Sequence, residues 1–177
     1  KTKSVANFDE NLKQLIIDLV DTCKINFGVG LAAPQIGVNK SVVVLKPKEF
    51  NVENPHPCSY DKEYMVLINP IIETTGKEIE WKEACLSIPD VSGKVKRSEC
   101  CEVTFMDEKG TTHKILADFP FAGGLQHEID HLNGIVYIKR MEKKKARAVM
   151  WKLQRNKRKE MIRYRKLKKQ STEGVRR

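Results

Sequence analysis

No stretch of this 177-residue chain approaches the roughly 20 consecutive apolar residues that a helix needs to cross a bilayer, so a helical membrane span is excluded. Paired cysteines are missing too. The five that occur, Cys23, Cys58, Cys85, Cys100 and Cys101, are odd in number and form no C-x-x-C. That argues against a disulfide framework and for a reduced compartment with at most one functional thiol. No internal repeat is present, which excludes solenoids. Histidine is scarce, with four in all. One further absence decides a function class. Gly28-x-Gly30-x-x-Ala33 has the spacing of a dinucleotide-binding fingerprint, which requires a strand before the glycines and a helix after them. Here Leu12, Leu15, Ile16, Leu19, Val20 and Cys23 recur upstream at helical spacing, and "SVVVL" (41–45) reads as a strand downstream. The order is reversed, so no dinucleotide is expected.

What the chain does have is basic charge, unevenly placed. The net charge is +10, yet residues 139–177 hold 18 Lys+Arg against 3 Glu, while 1–138 hold 15 against 20 acids. An acidic domain, 1–140, is thus expected to carry a basic helical tail, 141–177. Along the domain, Asp9 and Glu10 suit the first turn of the first helix. "KPKEFNVENPHPCSYDKE" (46–63) reads as a surface loop, "YMVLINP" (64–70) as a strand stopped by Pro70, and "GKEIEW" (76–81) as a strand after a Thr-Thr-Gly turn. "VKRSECCEVTFMD" and "TTHKILAD" read as a hairpin, followed by a helix over 120–133. Strands gathered together with little βαβ alternation predict an α+β fold, with mostly antiparallel sheets around a central helix and a C-terminal basic helix.

That central helix carries His127-Glu128-x-x-His131. Histidines at i and i+4 share one face and can grip a single ion, with Glu128 beside it to take a proton from water. A third ligand is needed. Tyr137 stands where the metzincin pattern would place a histidine, and Glu142, Glu160 and Glu173 lie in a basic run that suits solvated ion pairs. His56, His113 and the cysteines remain, Cys85 in "EACLSIP" (83–89) among them. Cys100 and Cys101 sit mid-strand on opposite faces, so at most one points inward.

Three separated stretches resemble one family. Gly28-Val29-Gly30-Leu31-Ala32-Ala33-Pro34-Gln35 is similar to the first peptide deformylase motif, Glu83-Ala84-Cys85-Leu86-Ser87 to the second, and Gln126-His127-Glu128-Ile129-Asp130-His131 to the third. The resemblance covers about 7–140. It implies Cys85, His127 and His131 as ligands of one divalent metal, ferrous iron natively, with zinc, nickel or cobalt able to substitute. It further implies removal of the formyl group from the N-terminal methionine of nascent proteins, with Glu128 as general acid–base. The Gln35 amide and the backbone N–H of Leu86 would be donors to the oxyanion. Gly28, Val29, Gly30, Gly123 and Gly124 would bound the substrate.

The chain departs from the family pattern in two places. Ala84 replaces a glycine, which matters only if that position needs a left-handed backbone. Gly123-Gly124 replace larger residues, so either the helix begins later or the side-chain pocket is wider. In the tail, Ala146, Met150, Leu153, Met161, Tyr164 and Leu167 form a near-helical apolar stripe. Its readings are a helix packed on the domain, by position and charge a ribosome- or rRNA-binding arm, and, with little apolar content for it, a membrane-surface helix. Bacterial members of the family are cytoplasmic and eukaryotic ones organellar. The opening Lys1 and the 46–63 loop tilt the expectation towards a plastid-type organelle (apicoplast or chloroplast) or a mitochondrion, with the bacterial cytoplasm as the alternative.

Overall fold

A computed structural model gives the fold of residues 1–52, 59–60 and 63–174, with side chains for 1–52 and 63–165. His56 and Cys58 lie outside the described residues, as do the side chains of Leu167 and Glu173. Helix α1 (Glu10–Ile25) starts where Asp9 caps it, its carboxylate accepting from the Leu12 N–H at 3.0 Å. Strands β1 (Gly30–Ala32), β2 (Val42–Leu45), β3 (Ser59–Tyr60), β4 (Tyr64–Cys85), β5 (Ile88–Met106) and β6 (Thr112–Asp118) follow, then α2 (Phe121–Leu132) and α3 (Lys143–Gly174). The strands form one sheet in the order β1-β2-β4-β5-β6, with β3 on β4, and every strand pair is antiparallel.

The sheet is covered on both sides, which is why β2 is an unbroken apolar run rather than an alternating one. Val42 and Val44 face α1, together with Tyr64, Val66 and Ile68. Val43 and Leu45 face α2, with Met65, Leu67, Val103 and Phe105. All twelve residues of α2 are buried. A third cluster, at the far end of the β4–β5 ribbon, gathers Cys85, Ile88, Val91 and Val95 under Tyr137, Ile138 and Met141.

Five local expectations are corrected. Pro70 does not stop a strand, and Thr74-Thr75-Gly76 is not a turn. Pro70 and Gly76 lie in register shifts of the continuous 22-residue β4, between Ile68 and Ile71 and between Thr75 and Glu78. A bulge leaves a residue unpaired, so it tolerates a proline without an N–H and a glycine at φ 78°. The glycine stretch between the first helix and the 41–45 strand, which its glycines and Pro34 would make a loop, is partly strand, since Gly30–Ala32 pair with β2. The expected surface loop turns inward at its start, where a 3₁₀ turn buries Pro47 and Phe50. Finally, α3 packs on the domain through Ala146, Val149 and Leu153. Met150, Met161 and Tyr164 of the expected stripe are exposed, and residues 157–165 are exposed throughout.

Candidate active site

The helical period sets one face of α2. His127 and His131 stand a turn apart, their rings 5.0 Å between centroids at 80°. The β4–β5 turn brings Cys85 to them from 46 residues away, with Sγ 3.3 Å from His131 Nε2. One ligand atom from each of the three residues lies within 4.8 Å of the others, and all three residues are buried. A tetrahedral ion with bonds of about 2.3 Å to sulfur and 2.0–2.1 Å to nitrogen needs S···N separations of about 3.5 Å, so the donor set fits a borderline divalent metal. Cys100, Cys101 and His113 lie elsewhere: Cys101 is buried in the α2-facing core, and His113 pairs with Asp107 at 2.9 Å.

Electrostatics point the same way. Burial opposes ionisation of Cys85, but hydrogen bonds from His127 and His131 outweigh it and bring the thiol down to about 6. Burial likewise opposes charge on His127, while Cys85 and Glu83 raise it to about 10. A centre that so favours a thiolate and a cationic imidazole is one that favours a cation.

Glu128 is buried beside these three residues, and its Oε2 has no hydrogen-bond partner. Burial raises its carboxyl to about 7, partly offset by His127 and His131. Such a group can take and return a proton near neutrality. The backbone of β1 makes room for it. A Cβ on Gly30 would sit 2.7 Å from Glu128 Oε1 and 2.6 Å from Leu45 Cδ1. Gln35 is aimed by its own backbone turn: its Oε1 accepts from Ala32 N–H at 2.8 Å, leaving Nε2 3.7 Å from Cys85 Sγ and 3.1 Å from Ser87 Oγ.

Residues outside the sequence expectations hold these side chains in place. His127 Nδ1 meets Glu83 Oε2 at 2.6 Å, which turns Nε2 towards the centre. Glu83 accepts as well from Trp81 Nε1 at 2.8 Å and from Arg97 at 2.8 and 3.1 Å. Burial alone would raise its carboxyl, yet His127 and Arg97 hold it at about 2. Arg97 continues to Asp130 at 2.5 Å, and Asp130 to Arg140 at 2.5 and 3.0 Å. Gln126 clamps α2 to β5 through both the N–H and the carbonyl of Ser98. The acids of E-x-C and of H-E-x-D-H were the available signals. Arg97 offered none.

A cleft of about 610 Å³ opens over these atoms. Gly28, Val29, Gly30, Gln35, Leu86 and Gly124 line it with Phe50 and Trp81. Gly123 does not line it. Helix α2 begins before both glycines, so the later-start alternative does not hold. Aromatic rings occupy the space their side chains would take: Phe119 and Trp81 lie 3.0 and 3.2 Å from a Cβ on Gly123, and Phe50 lies 2.6 Å from one on Gly124. Ala84 is outside the left-handed region, so replacing glycine there brings no backbone strain.

Comparison with known proteins agrees with this geometry. A peptide deformylase of Microchaete diplosiphon is 41% identical over 141 residues, 79% of this chain and 71% of the relative. A Legionella pneumophila peptide deformylase superposes with TM-score 0.78 at 36% identity, covering 90% and 89% of the two chains. One from Plasmodium falciparum gives TM-score 0.78 at 29%, covering 92% and 91%. The polypeptide deformylase family model matches residues 1–147, and the chain belongs to that family of metal-dependent enzymes, which remove the N-terminal formyl group from nascent proteins.

Proposed function

We propose that Cys85, His127 and His131 hold one divalent ion, and that Glu128, Gln35 and Leu86 carry out deformylation around it. The observation that carries this reading is the buried, unpartnered Glu128 oxygen beside three convergent donors. A divalent ion supplies a lowered water pKa and a polarised formyl carbonyl. Glu128 takes the proton of the attacking water and returns it to the departing amine nitrogen, so that formate and a free N-terminus result. The Gln35 Nε2–H and the Leu86 backbone N–H donate to the carbonyl oxygen as it gains charge. Gly28, Val29 and Gly30 let the formyl-Met peptide lie close along β1. Ferrous iron is the native ion in this reading, with zinc, nickel or cobalt as substitutes. Anaerobic purification with metal analysis and a formate-release assay on a short formyl-Met peptide tests it. Release of formate with one iron per chain is expected, and a metal-loaded protein that releases none overturns it.

The finer assignments are also proposals. The unit that folds with the site runs past Arg140, because Ala146, Val149 and Leu153 still pack on the domain. The remainder, 157–174, exposed over its described side chains 157–165, holds 8 Lys+Arg against 2 Glu and is the arm for rRNA. Truncation after Asn156 should spare turnover while weakening ribosome association and flattening its salt dependence. Equal ribosome binding by the truncated enzyme refutes the arm. Bacterial relatives, cyanobacterial ones among them, support a bacterial-type or plastid enzyme. Placement in a plastid-type organelle is favoured by that cyanobacterial likeness over a mitochondrion or, as the alternative, the bacterial cytoplasm, and imaging of the tagged gene product decides among them.

A further inference from the structure

We propose that Phe50 sets the size of the first side chain this enzyme accepts. The inference rests on the deformylase reading and deepens it.

Two parts of the cleft differ in exposure. Phe27, Val29 and Leu86 form a rim that solvent reaches, 95%, 42% and 42% exposed. Phe50, Trp81 and Gly124 form an inner wall, with Phe50 only 7% exposed. Gly124 lies one helical turn before His127 and Glu128 on the same face of α2, about 5.4 Å along the axis from the reacting centre. A residue bearing the formamide has its Cβ one bond from the Cα that carries the reacting nitrogen. Its side chain therefore falls against this inner wall while the following chain leaves over the rim.

Phe50 and Gly124 are fitted to each other. Three ring atoms, Cζ, Cε1 and Cε2, lie 2.6, 2.7 and 3.2 Å from a Cβ built on Gly124, so only a bare backbone admits the ring. Its far side is held by Phe121, with centroids 6.0 Å apart. Beyond the ring is a second cavity of about 520 Å³, lined by Met65, Ile115, Ala117 and Phe121. Phe50 is the one residue, among those described, that lines both spaces. The glycine pair therefore does not widen the pocket. It exchanges a wall supplied by α2 for one supplied by a ring from the turn after β2, and that ring stands between the cleft and spare apolar volume.

The test uses metal-loaded parent, Phe50→Ala and Phe50→Leu, each checked for metal content and melting temperature. Two substrates are compared, a formyl-Met and a formyl-2-naphthylalanyl peptide of otherwise identical sequence. Binding of methionine hydroxamate and 2-naphthylalanine hydroxamate by calorimetry reads the same preference without turnover. Phe50→Ala should shift the naphthylalanine-to-methionine ratio of kcat/KM, and of affinity, at least tenfold towards the larger group, and Phe50→Leu at least threefold. If Phe50→Ala does not fold, Phe50→Leu decides. Ratios within twofold of the parent's overturn the proposal. A parent that binds the hydroxamates yet releases no formate counts against the deformylase reading alone, and the affinity ratios then judge Phe50.

Discussion

Gly30→Ala adds one methyl group at the closest approach between β1 and the reacting centre. Its Cβ would lie 2.7 Å from Glu128 Oε1, 2.8 Å from Cδ and 2.6 Å from Leu45 Cδ1. Ordinary carbon contacts begin near 3.4 Å, so the carboxylate must retreat by about 0.7 Å and the leucine methyl by about 0.8 Å. Leu45 is 1% exposed and packed in the α2-facing core, so its shift carries the stability cost, whereas Glu128 has one oxygen without a partner and its shift carries the cost in rate. Overpacking of this size costs about 1–3 kcal/mol in stability. Misplacing a catalytic group by about 1 Å costs on the order of 10²-fold in rate. The variant should therefore bind one metal per chain, melt a few degrees below the parent, and lose about 10²-fold in kcat for formate release. Coupling formate to a dehydrogenase measures the rate, and calorimetry measures stability. Turnover within threefold of the parent would show that Glu128 tolerates displacement, and the argument that the first motif's glycine serves this carboxylate would fail.

Replacing Cys85 by Ser should strip or greatly weaken metal binding, while the same change at Cys100 or Cys101 leaves stoichiometry near one; metal retained in Cys85→Ser refutes the assignment. Glu128→Gln should keep its metal and lose at least about 10²-fold in turnover, the low end for a general acid–base group; near-normal rates would end that role. For Glu83 the sign follows from its carboxyl being held at about 2, below the ordinary 4.5. Its stabilising contribution is complete above pH about 4.5 and vanishes as pH falls through about 2. The stability gap between chelated parent and chelated Glu83→Gln, read by urea unfolding, should accordingly shrink from pH 5 towards pH 2. A constant gap contradicts it.

Features with short sequence reach were legible. The Asp9 cap, the α1 stripe, the β5–β6 hairpin and the H-E-x-x-H face all follow from neighbours within a few residues, and the structure shows each one. The supports of the site were not legible, because their partners lie far apart in sequence. Glu83 meets Arg97 across 14 residues, Arg97 meets Asp130 across 33, and Glu83 meets His127 across 44. A buried arginine in a strand looks the same in sequence as a solvated one. Pro70 and Gly76 carry true breaker chemistry, but the long β4–β5 ladder absorbed them as bulges. Phe50 escaped notice for a related reason. A proline-rich stretch predicts irregular backbone without saying which of its side chains the core will claim.

The burial of α2 bears on how the centre can be emptied. Two donors ride on a helix with no solvent-facing residue, so amides around His127 and His131 can exchange with water only when the core opens, at close to the cost of global unfolding. The third donor sits at the last residue of β4, beside the two-residue turn formed by Leu86 and Ser87, where Leu86 is 42% exposed. The centre thus has a fixed jaw and a jointed one. An ion held there would leave or exchange most readily through movement of this hairpin tip, which packs under the first turns of α3, with the histidine pair fixed on α2.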